Sequence, residues 1–283
     1  MKYKTIYFLI SAIVIIPGLF SLVTHGLKLS IEFTGGTRLT LESVQSEPRF
    51  ILDEFEEFSP AIEDQTDNSL TLKTKVISET EVQEKIGSLK QQNPDLSLSD
   101  FETIGPALGQ ETIKKTINAL VIASVLLLAY ISLSFKQIKY GLCAILAMFH
   151  DTVIVLGSFS LLGWFYGVEV DLLFVTAVLT ILSFSVHDTI VVYDRIRELS
   201  RIHKGENFTS LINQAVTETM TRSLNNSLTI IFMLIALFLI GGETTKYFAL
   251  ALLIGTVTGT YSSTFTAAPL LVVWDDLRSH RSS

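Results

Sequence analysis

Six apolar runs, each long enough to cross a bilayer as a helix, divide this 283-residue chain. A helix needs about 20 mostly apolar residues to span the roughly 30 Å hydrocarbon layer. Runs of that kind begin near Ile6, Thr116, Gly141, Leu172, Met220 and Tyr247. Hydrocarbon offers no partner to a bare loop or an open sheet edge, so each run must close its backbone hydrogen bonds within itself. The expectation is a polytopic α-helical membrane protein with six transmembrane helices. Composition agrees: 17% of the residues are charged, where a soluble domain carries about a quarter.

The first run follows Lys2 and Lys4 and continues to Val23 without a small-residue cleavage site, so it reads as an uncleaved anchor rather than a signal peptide. A six-span path places most basic residues of the short segments on one side: Lys2 and Lys4, Lys136 and Lys139, the arginines and lysine of 195–204, Arg278 and Arg281. The opposite short loops hold only Lys246. By the positive-inside rule both termini are expected in the cytoplasm and the long segment 27–115 outside. The resulting division is residues 1–26 for the first helix, 27–115 for an extracytoplasmic domain, 116–274 for five more helices with a cytoplasmic loop at 194–219, and 275–283 for a cytoplasmic tail.

The outer segment carries 17 acidic against nine basic residues, the wrong sign for a nucleic-acid partner, whose phosphates demand Lys and Arg. Alternation in "TRLTLES" predicts a strand, as do "NSLTLKTKV" and "DLSLSDFETIG". "PRFILDEFEEF" and "SETEVQEKIGSLKQQ" carry apolar residues at helical spacing, the second opening on a Ser78-to-Glu81 capping box. Strand, helix, strand, helix, strand describes a small α+β, ferredoxin-like domain. Between the fourth and fifth spans, "NFTSLINQAVTE" groups Phe208, Leu211, Ile212, Ala215 and Val216 on one face, the pattern of a helix lying on a membrane surface.

Ionisable residues inside the spans are the candidates for function, because each costs several kcal/mol in hydrocarbon and such groups mark ion pathways or paired interior sites. The chain has His150 and Asp151 in the third span, His187 and Asp188 in the fourth, and Arg222 with Asn225 and Asn226 at the start of the fifth. Asp151 lies 12 residues from Lys139, roughly 18 Å along its helix. Asp188 and Arg222 fall at similar depth on antiparallel neighbours, which predicts an ion pair. A movement separating the two would favour protonation of the aspartate. The alternative is that these groups are interhelical glue, at about 0.6 kcal/mol per hydrogen bond. The last span carries Ala251, Gly255, Gly259 and Ser263 at four-residue intervals, a pattern for close helix packing. Cys143 is alone, which excludes an intrachain disulfide. With no zinc-protease helix, nucleophile elbow or phosphate loop, the residues point to neither catalysis nor a metal or other cofactor.

Six segments in order, "EFTGGT", "IGPALG", "FHDTVIVLG", "VHDTIVVYDRIRE", "TMTRSLNNSLT" and "ALLIGTVTGTYSS", resemble the SecD/SecF family of protein-translocase membrane subunits, on the SecF side. The resemblance implies one half of an RND-type transporter in the bacterial inner membrane, with SecD as the other half. It implies partners in SecD, the SecYEG channel and unfolded preproteins, and use of the proton motive force late in export. By motif, Asp188 and Arg222 align with the family's proton-transport positions; Asp151 and His187 join them as relay candidates. Glu32, Gly35, Gly36, Gly105 and Pro106 fall in the family's turn motifs, and Gly255 and Gly259 in its last helix. Two residues depart from the pattern: Glu32 stands where the family has Asp, and His187 where it has Asn. Whether the coupling ion is H⁺ or Na⁺ stays open, and so do a non-coupling scaffold role and a small-molecule efflux role on the same architecture.

Overall fold

The computed structural model describes residues 4–44, 48–66, 68–91 and 93–279. Lys2, Gln92, Arg281 and the side chain of Arg278, on which expectations above partly rest, lie outside that description. The chain forms two compact units, one of Met1–Lys28 with Ala119–Ser283 and one of Leu29–Asn118. The membrane-type unit opens with α1 (Lys4–Thr24).

The second unit runs α2 (Ile31–Thr34), β1 (Gly36–Glu42), α3 (Pro48–Glu54), β2 (Ala61–Gln65), β3 (Ser69–Thr74), α4 (Glu79–Leu89) and β4 (Ser97–Ile104). Its four strands form one sheet in the order β2-β3-β1-β4, with every neighbouring pair antiparallel. Strand β2 has no counterpart among the sequence expectations. With it the order becomes βαββαβ, the full ferredoxin-like arrangement. Alternation in β1 does the sorting: Leu39 and Leu41 are fully buried beneath Ile51 and Phe55 from α3 and its flank and Val82 and Ile86 from α4, each such burial contributing about 1.5–3 kcal/mol. Arg38 occupies the other face and reaches across β3 to bind Glu63 of β2 through Nε and Nη2, both at 2.9 Å. The capping box is present: Glu81 N–H donates to Ser78 Oγ while Ser78 N–H donates to Glu81 Oε2.

Two motifs distant in sequence meet in this unit. Gly35 and Gly36 have φ of +72° and +138°, a backbone that favours glycine. A Cβ on Gly35 would stand 2.7 Å from Pro106 Cα, and one on Gly109 2.6 Å from Phe33 O. The glycine pair and "GPALG" therefore need each other's missing side chains. The turn closes through its backbone, Gly35 N–H donating to Ile31 O, and Glu32 sits in the first turn of α2.

The helices continue as α5 (Pro106–Phe135), α6 (Ile138–Tyr166), α7 (Leu172–Ile202), α8 (Phe208–Ile240), α9 (Glu243–Ser262), a π-helical turn (Ser263–Ala267) and α10 (Ala268–Ser279). Counting α9 through α10 as one, six helices among the described residues are long and apolar enough to cross a membrane. The interior lies along α6, α7 and α9. Gly18 of α1 and Gly157 of α6 bring their backbones together, a Cβ on Gly157 falling 2.7 Å from Gly18 Cα. Ser160 Oγ donates to Gly26 O, leaving Ser21 Oγ to donate to Ser160. Gly255 and Gly259 lie against α7, where Cβ atoms would meet Ile181 at 2.3 Å and Phe184 at 3.3 Å.

The stretch expected as a surface helix is instead the first third of α8, which runs unbroken for 33 residues. Leu211, Ile212, Ala215 and Val216 join a buried cluster with Tyr140, Tyr193, Leu199 and Leu271, so their apolar face meets protein rather than lipid. The loop expected at 194–219 shrinks to residues 203–207.

Candidate functional site

Two carboxylates are buried inside the helical unit, Asp151 fully and Asp188 with 4% of its surface exposed. Each comes to the interior for a helical reason. Asp151 shares the inner face of α6 with Ala144, Ala147 and Met148, and Asp188 that of α7 with Ile181 and Ser185. A carboxylate so placed must have its oxygens satisfied, and hydroxyls with one imidazole do it.

Asp188 accepts from Ser223 Oγ of α8, 2.6 Å from both carboxylate oxygens, and from Ser263 Oγ at the start of the π turn. Asp151 accepts on Oδ2 from Ser185 Oγ of α7 and Ser262 Oγ of α9, each at 2.6 Å. Its Oδ1 lies 2.9 Å from His150 Nδ1. His150 Nε2 is buried without a hydrogen-bond partner, and so are Thr189 Oγ1 and Thr266 Oγ1. Ser227 of α8 accepts from Thr260 of α9 at 2.6 Å, extending the hydroxyl lattice by one turn. Tyr193 closes the other end by donating to Ala267 O.

The expected Asp188–Arg222 ion pair is not formed. Residue 223, not 222, points to the carboxylate, because consecutive residues on a helix are about 100° apart. Arg222 is exposed beside Asn225 and Asn226. His187 is likewise exposed, one residue off the inner face of α7, and shares the outer one with Thr176, Thr180 and Ser183. The structure thus brings Asp151 and Asp188 into one hydroxyl-rich interior and leaves His187 and Arg222 outside it. Sequence reasoning assigned none of the four serines to a carboxylate and named Ser263 only for helix packing. Their only signal is spacing: Ser185 three before Asp188, Ser223 four before Ser227, and Ser262 next to Ser263. Among the described residues no group of three or more His, Cys, Asp or Glu is placed to hold a metal ion.

Chemically, this interior surrounds two carboxylates with hydroxyl donors. Comparison with known proteins gives the arrangement a lineage. Residues 84–277 match the family described as protein export membrane protein SecD/SecF, C-terminal, and residues 20–47 match the SecD/SecF GG motif. The chain is 39% identical to the protein translocase subunit SecF of Thermobaculum terrenum, over 98% of this chain and 93% of that one. It is 36% identical to the SecF of Anaerolinea thermophila, over 96% and 92%. The crystal structure of SecDF, a translocon-associated membrane protein from Thermus thermophilus, superposes with a TM-score of 0.82 at 30% identity, over 98% of this chain and 39% of that longer one. SecDF in a super-membrane-facing form gives 0.71, over 99% and 38%. The chain belongs to the SecD/SecF family of multi-pass protein-export membrane proteins and takes its place among the SecF subunits.

Proposed function

We propose that this chain pairs with SecD in the bacterial inner membrane and that the pair uses the proton motive force to promote late steps of protein export through the SecYEG channel, acting on unfolded preproteins. The observation that carries the reading is Asp188, a carboxylate inside a bilayer-spanning bundle whose donors are neutral hydroxyls. Such a group holds or releases a proton without breaking an ion pair, and a proton crossing the membrane brings about 2.3 kcal/mol per 100 mV. Both termini are taken as cytoplasmic and residues 27–115 as outside, on the basic-residue asymmetry of the short loops.

The outer face of α7 and the adjoining face of α8 support a SecD partner. Thr176, Thr180, Ser183 and His187, with Arg222 and Asn225, are exposed on helices long enough to span, and polar groups of this kind in lipid are costly. A second transmembrane half covering them removes that cost, and SecDF chains are long enough to contain one, since this chain spans 39% of the first. In this reading Arg222 is a charge at the interface between halves, beside the site rather than bonded to Asp188.

A scaffold reading is favoured by one fact: every oxygen of both carboxylates is engaged in a hydrogen bond, as interhelical glue would be. Gradient-dependent completion of export in SecF-depleted vesicles resupplied with wild-type or Asp188→Asn protein separates the two. Loss of the gradient-dependent step with SecD co-purification intact is the expected result. Unchanged export by the assembled variant leaves only the scaffold.

A further inference from the structure

Ser262 and Ser263 are consecutive, yet they serve different carboxylates, Ser262 donating to Asp151 and Ser263 to Asp188. Each also has a second acceptor within reach on its own helix: Gly259 O lies 3.2 Å from Ser262 Oγ, and Thr260 O lies 3.1 Å from Ser263 Oγ. A hydroxyl has one proton to give, so each serine donates either outward to a carboxylate or back to the carbonyl three residues earlier. The choice is made where α9 gives way to the π turn, a rare geometry found mostly as single turns at functional sites.

We propose that the Ser262–Ser263 pair couples Asp151 and Asp188 into one two-carboxylate proton-exchange site, in which uptake of a proton at either aspartate disfavours uptake at the other. The inference rests on the proton-coupling reading of Asp188 and adds to it a second acceptor, Asp151, and two positioning residues. When an aspartate takes a proton from solution it becomes a donor, and the serine it no longer needs turns to its backbone carbonyl. Gly259 O and Thr260 O belong to the same last turn of α9, so the turn that receives one hydroxyl shifts the other serine against its carboxylate. The titratable groups in the surrounding turns are His150 on α6, Tyr261 on α9 and Tyr193 on α7. Tyr261 donates to Tyr7 O of α1, and Arg222 and His187 face outward.

The test is infrared titration of the protonated-carboxyl band in the SecD-bound complex in membranes, with bands assigned by Asp151→Asn and Asp188→Asn. Asp188→Asn is expected to lower the half-protonation pH of Asp151 by about one unit, tenfold in proton affinity. Coupling is reciprocal, so Asp151→Asn must move Asp188 equally. In Ser262→Ala/Ser263→Ala the mutual shift is expected to fall at least threefold, while Ser262→Thr/Ser263→Thr, which keeps both hydroxyls, retains it. Direct charge repulsion survives the alanine changes, so an undiminished shift there overturns the serine route. An Asp151 band insensitive to Asp188→Asn, or no Asp151-dependent band at any accessible pH, overturns the coupled site. The readout does not pass through export: coupling with normal export in Asp188→Asn sinks the energy-coupling reading alone, and no coupling with lost gradient dependence sinks this inference alone.

Discussion

The two units of this chain are built inside out with respect to each other. In the sheet unit Leu39, Leu41, Leu70, Leu72, Ile51 and Phe55 are wholly buried, and Arg38 with its acidic partners lies on the open face of the sheet. In the helical unit the outside is apolar, with Leu133 at 77% and Ile240 at 85% exposure, and the inside holds Asp151, Asp188 and their serines. Water drives the first arrangement, because removing apolar surface from it is the dominant gain of folding. Lipid tails give no such drive between helices, so the second depends on close backbone approach and interhelical hydrogen bonds. An aspartate that would be expelled from the core of the sheet unit is thus tolerated in the bundle.

The largest effect expected from this contrast is in the core of the sheet unit. Phe55→Ala should cost about 3–5 kcal/mol, read in the full-length protein as a steep rise in amide exchange across the β1–β3–β4 amides with the bundle unchanged. Leu133→Ala, equally apolar but facing outward, should leave exchange everywhere within error; comparable damage from both would erase the distinction.

A smaller effect is expected where backbones touch. Gly157→Leu places a side chain against Gly18, whose Cα is 2.7 Å from the Cβ position, and should cost about 1–3 kcal/mol by overpacking. Faster exchange confined to α1 and α6 would mark small residues as what holds this pair of helices. A neutral Gly157→Leu would mean the pair is held by Ser21 and Ser160 alone.

The smallest belongs to a solvated helix end. Hydrogen bonds from the Ser78 hydroxyl and N–H hold the Glu81 carboxyl below its ordinary value of 4.5. A depressed carboxylate contributes above its unfolded value and loses that contribution as pH falls through the folded one. With intrinsic exchange divided out, the protection factors of the first-turn amides of α4 should therefore fall on acidification below about pH 4.5, and Glu81→Gln should abolish the dependence. A wild-type protection factor that does not change with pH would show that the cap is inert.

Much of this architecture was legible from pattern. The spans follow from length and hydropathy, β1 from the alternation of Leu39 and Leu41, and α4 from Ser78 and Glu81, because each is a periodic or local signal. Strand β2 was not, since Ala61, Ile62, Asp64 and Gln65 are all exposed on a sheet edge and show no buried alternation. The apolar face of Leu211 to Val216 was read correctly and assigned to the wrong medium, because a helix face records that it is covered without recording by what. At the site, the two carboxylates stood out by charge, but their donors did not. A serine in an apolar helix is ordinary, and only the packing of α7, α8 and α9 turns Ser223, Ser262 and Ser263 toward an aspartate. Equal depth of Asp188 and Arg222 suggested a pair, and azimuth, which sequence depth does not supply, separated them.

The π turn also sets where the sixth span can lose a residue. A π turn closes over one residue more than an α turn, so removing one from Ser263–Ala267 lets the helix run on as α with α10 near its present azimuth and Asp276 beside Lys4, which it now meets at 2.8 Å. The same removal from the α-helical part of α9 would turn everything beyond by about 100° and carry Asp276 away.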